Sequence, residues 1–542
     1  MIELFQGGRI FTSDPSQPWA EAVVIDGERI TFVGSVVNAA VAAGPDAVVH
    51  DVAGGLVLPG FVDAHAHLTM TGNALLKAQL RSATELGEVQ RRLGEWADAN
   101  PGAPRILGVG WGYWAVPGGV PTREMLDKVS TERPIYAEAS DLHSCWVNTA
   151  ALAELGIGDD TPDPIGGRIV RDPVTGSATG HLLENASVNL VWPLLALVEP
   201  ATLDGYLAAA ICAYNESGVT AAVDMALDGD MLASMQRADD DGTLSVRVVG
   251  HWLIHRTGDP ATEMAQVDKV IRLATRLAER PSPRLRLAGI KIIVDGTIDG
   301  CTAALINPYA DGTNDSGIWD LDALLPIVRA ADAAGLQIAL HAIGDQAVRN
   351  AIDAFEQAGR VNGAAATAAR RHRIEHLEYV DVGDVGRLAR LGITASMQPV
   401  HADPAGLANW TAMLGDERAD RGFAWREFLD AGTTLAFGTD TPTAPHLPLH
   451  NMYIATTRRS PGDPTIPPHR PDNALSLAEA IVHATRDAAW ASAAESSVGM
   501  LRAGLLADLI VLDRDPFDGP AESLLTARVV RTVSGGRTVH LS

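Results

Sequence analysis

Apolar runs of strand length alternate with longer helical patterns in the second half of the chain. The clearest unit has a helical pattern at residues 321–335, an apolar run at 336–342 and another helical pattern at 344–359. Similar units follow at residues 371–399 and 426–442. Alternating strands and helices are typical of parallel βα units, whose crossover helices cover the faces of a parallel sheet. The sequence therefore predicts an α/β fold.

Both ends of the chain carry strand patterns instead. Residues 22–34 hold two β-rich runs around an Asp-Gly pair, which predicts a hairpin with a tight turn. Residues 507–513 and 529–541 repeat such runs, the latter around a Gly-Gly pair. The region at about 71–203 breaks the rhythm, because it is rich in Gly, Pro and Trp. We predict short strands at both termini and an inserted lobe at about 71–203.

The charge balance narrows the choice of partners. The chain has 42 Lys and Arg against 67 Asp and Glu, a formal net charge of −25, which opposes binding to nucleic acid or to anionic membranes.

The 3 cysteines of the chain are far apart and include no CxxC pair, so a disulfide framework is not expected. The N-terminus carries neither a basic segment nor a long apolar one. We expect a cytoplasmic protein whose partner is a small molecule.

Two histidines interrupt the apolar stretch of residues 60–70. His65 and His67 are two positions apart, so in a strand they face the same side. Two imidazoles on one face can converge on one metal ion. Taken alone, the pair fits hydrogen-bonded core histidines equally well.

Further ligand-type residues lie where later strands end. His341, His376 and Asp440 each end or follow an apolar run. In a parallel βα barrel the carboxyl ends of the strands share one face, where side chains from distant segments meet. Lys291 lies within the apolar run 287–294, where a charged amine is costly to bury. The alternative for Lys291 is a packed stem whose amine reaches Asp295 or water.

The chain resembles a known family over nearly its whole length. The resemblance rests on the segments PGFVDAHAH, DLHSCWVNTAAL, KIIVDGTIDGCTAAL, HAIGDQAV, RHRIEH, MQPVH, FGTDTP and LRAGLLADLIVLD. These resemble the amidohydrolase superfamily, in particular the amidohydrolase 3 or YtcJ-like branch, which includes N-substituted formamide deformylase. The resemblance implies a distorted TIM (β/α)8 barrel at 59–494, with the inserted lobe after its first strand. It also implies a small β-sandwich domain formed by residues 1–58 and 495–542.

The same resemblance implies a zinc centre, most simply of two ions, although one ion stays an alternative. His65, His67 and Asp440 would bind the more buried ion, and His341 and His376 the more exposed one. Lys291 would be carbamylated and bridge the two ions. A carbamate behaves like a carboxylate toward zinc, whereas an amine is a poor bridge. Asp440 would also be the catalytic residue that moves protons to and from the reacting groups.

Five further residues are candidates for contacts with a substrate. They are His143, Trp111, Gln398, His401 and Asp295. His143 would donate to an oxyanion and Trp111 would line an apolar pocket, but each fits a structural role in the lobe equally well. For Asp295 the default is a cap or a salt bridge. Cys301 stands where relatives often have Ser or Arg, and its role stays open.

The leading hypothesis is a metal-dependent hydrolase that cleaves the C–N bond of an amide-like small molecule. An N-substituted formamide or an N-acyl amine would fit. The same metal site would also serve a deaminase or an ester or carbamate hydrolase, since the fold does not decide the reaction. A barrel that serves only as a non-catalytic scaffold is the remaining alternative, and a homodimer is expected from the habit of the family.

Overall fold

The computed structural model describes residues 1–140 and 143–542. The chain divides into two compact units, and each is described by itself. The first comprises Met1–Leu68, Ile211–Thr441 and Pro445–Ser542. The second comprises Thr69–Ala210 and Pro442–Ala444.

An eight-stranded, all-parallel sheet forms the centre of the first unit. Its strands, numbered in chain order, are β1 (Phe61–Ala66), β2 (Val219–Leu227), β3 (Arg247–Leu253), β4 (Leu285–Ile293), β5 (Gln337–Ala342), β6 (Arg373–His376), β7 (Thr394–Met397) and β8 (Leu435–Phe437). Each strand pairs with its neighbours in sequence order. Nearly all residues of these strands are buried, as expected where helices cover a parallel sheet. The predicted barrel is thus confirmed.

Helices alternate with these strands. Their bounds are Gly229–Asp240, Pro260–Ala278, Leu321–Ala333, Asp345–Asn362, Ala364–Ala369, Val382–Leu391, Leu407–Leu414, Asp416–Asp420, Trp425–Asp430, Pro448–Thr457, Leu477–His483 and Arg486–Ala491. Four begin at an aspartate whose carboxylate accepts hydrogen bonds from free N–H groups of the first turn: Asp228, Asp259, Asp320 and Asp381. Such caps fix where a helix starts and therefore how long the preceding loop is.

The barrel closes where the segment after β8 meets the end of β1. The Asp440 N–H donates to the His65 carbonyl at 2.7 Å, and the His67 N–H donates to the Thr441 carbonyl at 3.0 Å. The buried carboxylate of Asp63, on β1, accepts hydrogen bonds from the Thr439 N–H at 2.9 Å and the Thr439 hydroxyl at 2.6 Å. A Cβ at Gly438 would lie 2.4 Å from the His65 nitrogen, so only glycine allows this approach.

Strands from both termini build a small β domain in the same unit. One sheet contains Ile2–Gln6, Ala22–Asp26, Arg29–Gly34 and Val48–Asp51. The other contains Arg9–Phe11, Trp19–Ala20, Leu56–Pro59, Leu509–Leu512, Val529–Ser534 and Arg537–Leu541. Both predicted hairpins are present, and Gly535 and Gly536 have positive φ in the second turn, as a tight hairpin turn requires. The two sheets share a buried core that includes Phe5, Val23, Val57 and Leu509.

Two ion pairs join distant parts of the first unit. Arg247 on β3 binds the buried Asp508 through two N–H···O contacts of 2.8 and 3.1 Å. Arg502 binds Asp14 in the same two-pronged way, at 2.5 and 2.7 Å, and so ties the C-terminal segment to the N-terminal one. Paired contacts of this kind add geometric specificity as well as energy.

The second unit has its own mixed sheet and its own cores. The strands are Ala78–Gln79, Ile106–Trp111, Ile135–Ala139, Ser144–Val147, Gly167–Arg171 and Ala178–Glu184. Helices Leu86–Ala99, Arg123–Asp127, Thr149–Glu154 and Asn185–Ala196 accompany them. Helices Leu68–Leu75 and Pro200–Ser217 cross the borders of the unit. Lys77 and Glu138 form a buried ion pair inside it.

No single helix among the described residues is long and apolar enough to cross a membrane. The helical segments Asn185–Leu195 and Pro200–Ser217 are together long and apolar enough, but a bend of 112° separates them.

We expect the Asp14–Arg502 pair to stabilise the β domain in a pH-dependent way. The Arg502 guanidinium holds the pKa of Asp14 well below its ordinary value. A carboxyl with a lowered pKa stabilises the fold above the pKa it has when unfolded, and the contribution fades as pH falls through the folded value. Asp14→Asn should therefore lower Tm by about 1–2 °C at pH 7, and this deficit should shrink below about pH 4.

Differential scanning calorimetry at several pH values measures this deficit. Arg502→Gln is the matched variant, and the double variant should be no less stable than either single one, because both remove the same pair. A deficit that stays constant down to the lowest pH at which the protein folds would contradict the assignment.

Candidate metal centre

The carboxyl ends of five barrel strands bring the predicted ligands together in the first unit. His65 lies in β1 and His67 directly follows it, Lys291 lies in β4 and His341 in β5. His376 is the last residue of β6, and Asp440 follows β8 by three residues. These ends share one face of a parallel barrel, as the sequence pattern predicted.

The carboxylate of Asp440 contacts both His65, in β1, and His67, which directly follows β1. One of its carboxylate oxygens is 3.2 Å from His65 Nε2 and 3.1 Å from His67 Nε2. Burial raises the pKa of Asp440, but His65, His67 and His376 outweigh this effect and hold the pKa well below its ordinary value. The group is therefore a carboxylate, the form that binds a cation.

Lys291, His341 and His376 complete the cluster. Lys291 Nζ is 3.5 Å from His65 Nε2, and the imidazole rings of His341 and His376 have centroids 4.3 Å apart. Burial lowers the pKa of Lys291 to about 8, although the carboxylates of Glu375 and Asp440 oppose the shift. A lowered pKa increases the neutral fraction of the amine, which is the form that adds CO2.

The donor atoms fit a metal ion. One ligand atom each from His65, His376 and Asp440 lies within 4.8 Å of the others, and all three residues are buried. His376 Nδ1 is buried and accepts or donates no hydrogen bond among the described residues. Because a buried polar atom without a partner is costly, a bound cation explains its place. Imidazole and carboxylate together suit zinc and related divalent ions.

A series of buried, hydrogen-bonded charged side chains orients His65, the first of these ligands. Glu375 is fully buried and contacts His65 Nδ1 at 2.7 Å. The Arg373 guanidinium donates to Glu375 at 2.6 and 3.1 Å and to the Ser396 hydroxyl at 2.6 Å. Burial raises the pKa of Glu375, but Arg373 and His65 outweigh this effect and hold it well below its ordinary value. A carboxylate bound to Nδ1 orients the imidazole, so that Nε2 faces the metal position.

The sequence analysis missed Glu375 and Arg373. The available signal was two charged residues at alternate positions of a strand, in the segment RHRIEH, where apolar residues were expected. Residues two apart in a strand share a face, so the pattern could have indicated a buried ion pair.

His401 and Gln398 follow β7 in the same unit. His401 Nε2 is 3.6 Å from the second oxygen of Asp440, and its ring stacks on that of His376 at 5.7 Å and 6°. His401 Nδ1 is 3.0 Å from Glu378, whose pKa burial raises although His401 opposes the shift. Gln398 is 2% exposed, and neither atom of its amide has a hydrogen-bond partner among the described residues.

The contacts of Asp295 are mainly hydrogen bonds that hold neighbouring loops in place. It is fully buried and accepts hydrogen bonds from the N–H groups of Ala304, Ile343 and Gly344 at 2.9–3.0 Å. Its carboxylate is also 3.8 Å from His341 Nε2. These contacts favour a role in holding His341 and its loop over direct contact with a substrate.

The remaining candidates have contacts of different kinds. In the second unit Trp111 is fully buried in a core, and its indole N–H donates to the Ala137 carbonyl at 2.8 Å, which favours the core alternative. His143 Nδ1, in the same unit, is 2.7 Å from Glu184, a non-glycine residue with a φ of +49°. In the first unit Cys301 Sγ is 3.0 Å from the Met413 sulfur.

Comparisons with known proteins identify the family of the chain. A sequence model described as the amidohydrolase family matches residues 48–540. The chain belongs to this family. The cluster of ligand-type side chains in this amidohydrolase offers the donors for a metal ion.

Several relatives cover almost the whole chain. Protein LONG AFTER FAR-RED 3 of Arabidopsis thaliana is 30% identical over 99% of this chain and 91% of its own length. N-substituted formamide deformylase of Arthrobacter pascens is 29% identical over 97% of this chain and 96% of its own length. The crystal structure of an uncharacterized metal-dependent hydrolase from Pyrococcus furiosus has a TM-score of 0.71 and 26% identity, covering 95% of this chain and 100% of that one.

We predict that Glu375→Gln weakens metal binding about 10–100-fold, because the amide orients His65 less firmly and adds no negative charge. The variant should also lose about 3–5 kcal/mol of stability, since Arg373 would be left buried without its partner. Competition with a chromophoric chelator gives the zinc affinity, and thermal unfolding gives the stability.

Glu3→Gln is the matched control, because Glu3 also contacts a histidine, His50, at 2.6 Å but lies in the β domain. Unchanged zinc affinity in Glu375→Gln, with the control behaving like the unmodified protein, would contradict the role of Glu375.

Proposed function

We propose that the protein is a zinc-dependent hydrolase that cleaves the C–N bond of an amide-like small molecule, such as an N-substituted formamide or an N-acyl amine. The observation that carries this proposal is the contact of the buried Asp440 carboxylate with both His65 and His67 in one cluster of ligand-type side chains. The 29% identity to N-substituted formamide deformylase over 97% of the chain supports the bond type.

The ligand assignment follows the positions in the barrel. His65, His67 and Asp440 would hold one ion, and His341 and His376 the other, with Lys291 between them as a carbamate. The buried Lys291 amine, 3.5 Å from His65 Nε2, is close enough to one ligand of the first ion to support this role. Carbamylation would also replace a costly buried ammonium by an anion that suits the cations.

A bound zinc ion lowers the pKa of a coordinated water to about 7 and so supplies a nucleophile at neutral pH. In this proposal Asp440 accepts the proton of the water as its oxygen bonds to the carbonyl carbon. When the C–N bond breaks, Asp440 returns that proton to the departing nitrogen. The products are a carboxylic acid and an amine. His401, whose Nε2 is 3.6 Å from Asp440, would donate a hydrogen bond to the carbonyl oxygen.

Deamination and the hydrolysis of esters or carbamates would use the same groups and differ in the carbon that is attacked or in the atom that leaves. A panel of formamides, N-acyl amines, lactams, esters, carbamates and ring amines distinguishes these reactions with one purified protein. Release of amine from formamides or N-acyl amines supports the proposal, whereas turnover of esters alone would overturn it.

Asp440→Asn should lower kcat/KM about 10²–10⁴-fold on the best substrate of that panel, because the amide cannot accept the proton. Steady-state kinetics together with metal analysis measures the change, since Asp440 is also a ligand. Asp14→Asn, in the β domain, is the control for a carboxylate outside the centre. Full activity in Asp440→Asn would remove the mechanism.

Gln398 offers a test of substrate contact. A buried amide without a partner among the described residues costs stability, so its retention suggests a polar group of the substrate as partner. Gln398→Met should leave Tm unchanged or raise it, while kcat/KM falls about tenfold.

Gln337→Met is the matched control for this variant. Gln337 is also a buried glutamine, but its amide donates to the carbonyls of Arg371 and Ala491 at 2.7 and 2.8 Å. This control should lose stability. A fall in Tm of similar size in Gln398→Met would show that the Gln398 amide has a structural role instead.

A further inference from the structure

A second group of ligand-type side chains lies beside the centre, at the ends of two neighbouring strands. β6 ends at His376, and Glu378 follows it by two residues. His401 lies in the short 3₁₀ helix Pro399–Ala402, just after β7. Because β6 and β7 pair in parallel, their ends meet on one face of the barrel. One ligand atom from each of His376, Glu378 and His401 lies within 4.8 Å of the other two.

The geometry points to a further cation position formed by His376, Glu378 and His401. Glu378 and His401 are absent from the ligand set that the family resemblance implies, and the new position needs both. It does not depend on the reaction proposed above, because a cation can bind there whatever the substrate is.

The donor chemistry suits zinc. Two imidazoles and one glutamate form a set known from catalytic zinc sites, in which three protein ligands leave the fourth position open. Glu378 and His401 Nδ1 are 3.0 Å apart, so one cation can contact both, and the His401 ring stacks on that of His376. His376 and Glu378 are two residues apart, and positive φ values at His376 and Leu377 shape the chain between them.

Glu378 has the environment of a carboxylate that lacks a cation. The residue is 8% exposed, and no lysine or arginine in the described ranges 1–140 and 143–542 forms an ion pair with it. Its one ionic contact there is with His401, which is a weak partner when neutral. Buried carboxylates are normally paired with a cationic side chain or bind a metal ion, so a cation beside Glu378 would remove a cost of the fold.

The new position is adjacent to the first one. His376 belongs to both groups of donors, and His401 Nε2 is 3.6 Å from an oxygen of Asp440. Removing Glu378 or His401 should therefore take away the ion at the new position, while the ligands proposed for the other ions, His65, His67, Asp440, His341 and His376, stay in place.

Metal analysis tests the proposal without any substrate. The unmodified protein, Glu378→Gln and His401→Asn are each saturated with Zn²⁺, dialysed against metal-free buffer without chelator, and analysed by plasma mass spectrometry. Each variant should hold about one zinc equivalent less than the unmodified protein. Glu3→Gln and His50→Asn remove the members of a hydrogen-bonded Glu–His pair in the β domain, and both should keep the full content. Equal zinc content in all five proteins would overturn the proposal.

Diffraction from the unmodified protein decides the matter even where a variant fails to fold. Crystals grown with Zn²⁺ should show, in data collected above and below the zinc edge, an anomalous peak within bonding distance of His376, Glu378 and His401. Peaks only at the other ligand set would overturn the proposal. A peak at the new position without hydrolysis of any amide would refute the proposed function and support this site. Hydrolysis of an amide without a peak at the new position would support the proposed function and overturn this site.

Discussion

The closing contact of the barrel is the constraint on which the centre depends. β8 is only three residues long, and the chain after it reaches the end of β1 through backbone hydrogen bonds of Asp440 and His67 and through the carboxylate of Asp63. Asp440 and His67 are themselves predicted ligands, and Asp63 lies two residues before the predicted ligand His65. Closure of the sheet therefore fixes the distance between the backbones of His65 and Asp440, whichever rotamers their side chains adopt.

The charges of the centre explain why a cation belongs there. Glu375, Asp440 and Glu378 are buried carboxyl groups, and Arg373 forms an ion pair with Glu375. Asp440 contacts His65 and His67, and the ion pair of Glu378 among the described residues is with His401. Buried charge of one sign is costly, and a divalent ion compensates it at short range. The same imbalance underlies both donor groups.

Much of the fold was predictable because it depends on local patterns. The βα alternation predicted the barrel, and the Asp-Gly and Gly-Gly pairs predicted the hairpins. Both predictions succeed because hydrophobic periodicity and turn type depend on residues that are close in sequence. The ligands His341, His376 and Asp440 could be proposed because they interrupt apolar runs at strand ends. The spacing of Arg373 and Glu375 indicates only their pair within β6. The contacts of Glu375 with His65, of Arg373 with Ser396 and of Glu378 with His401 join different segments, so these roles depend on register across the barrel. Trp111 and Asp295 show the reverse, because residues that suit a substrate pocket also suit a buried hydrogen bond.

Some of the backbone strain in the chain lies at the ligands. His376, Leu377 and Asp440 all have positive φ, a conformation that costs non-glycine residues about 1–3 kcal/mol each and lasts only where the surroundings impose it. Here the surroundings are short strands of four and three residues, whose neighbours in the barrel and closing hydrogen bonds leave no room to relax. The pairing of the strands thus helps to hold the strained residues. A backbone fixed in this way presents its donors in place before an ion arrives, and binding then needs little reorganisation. The choice of ion consequently lies with the kind and charge of the donors, which is why the carboxylates matter as much as the imidazoles.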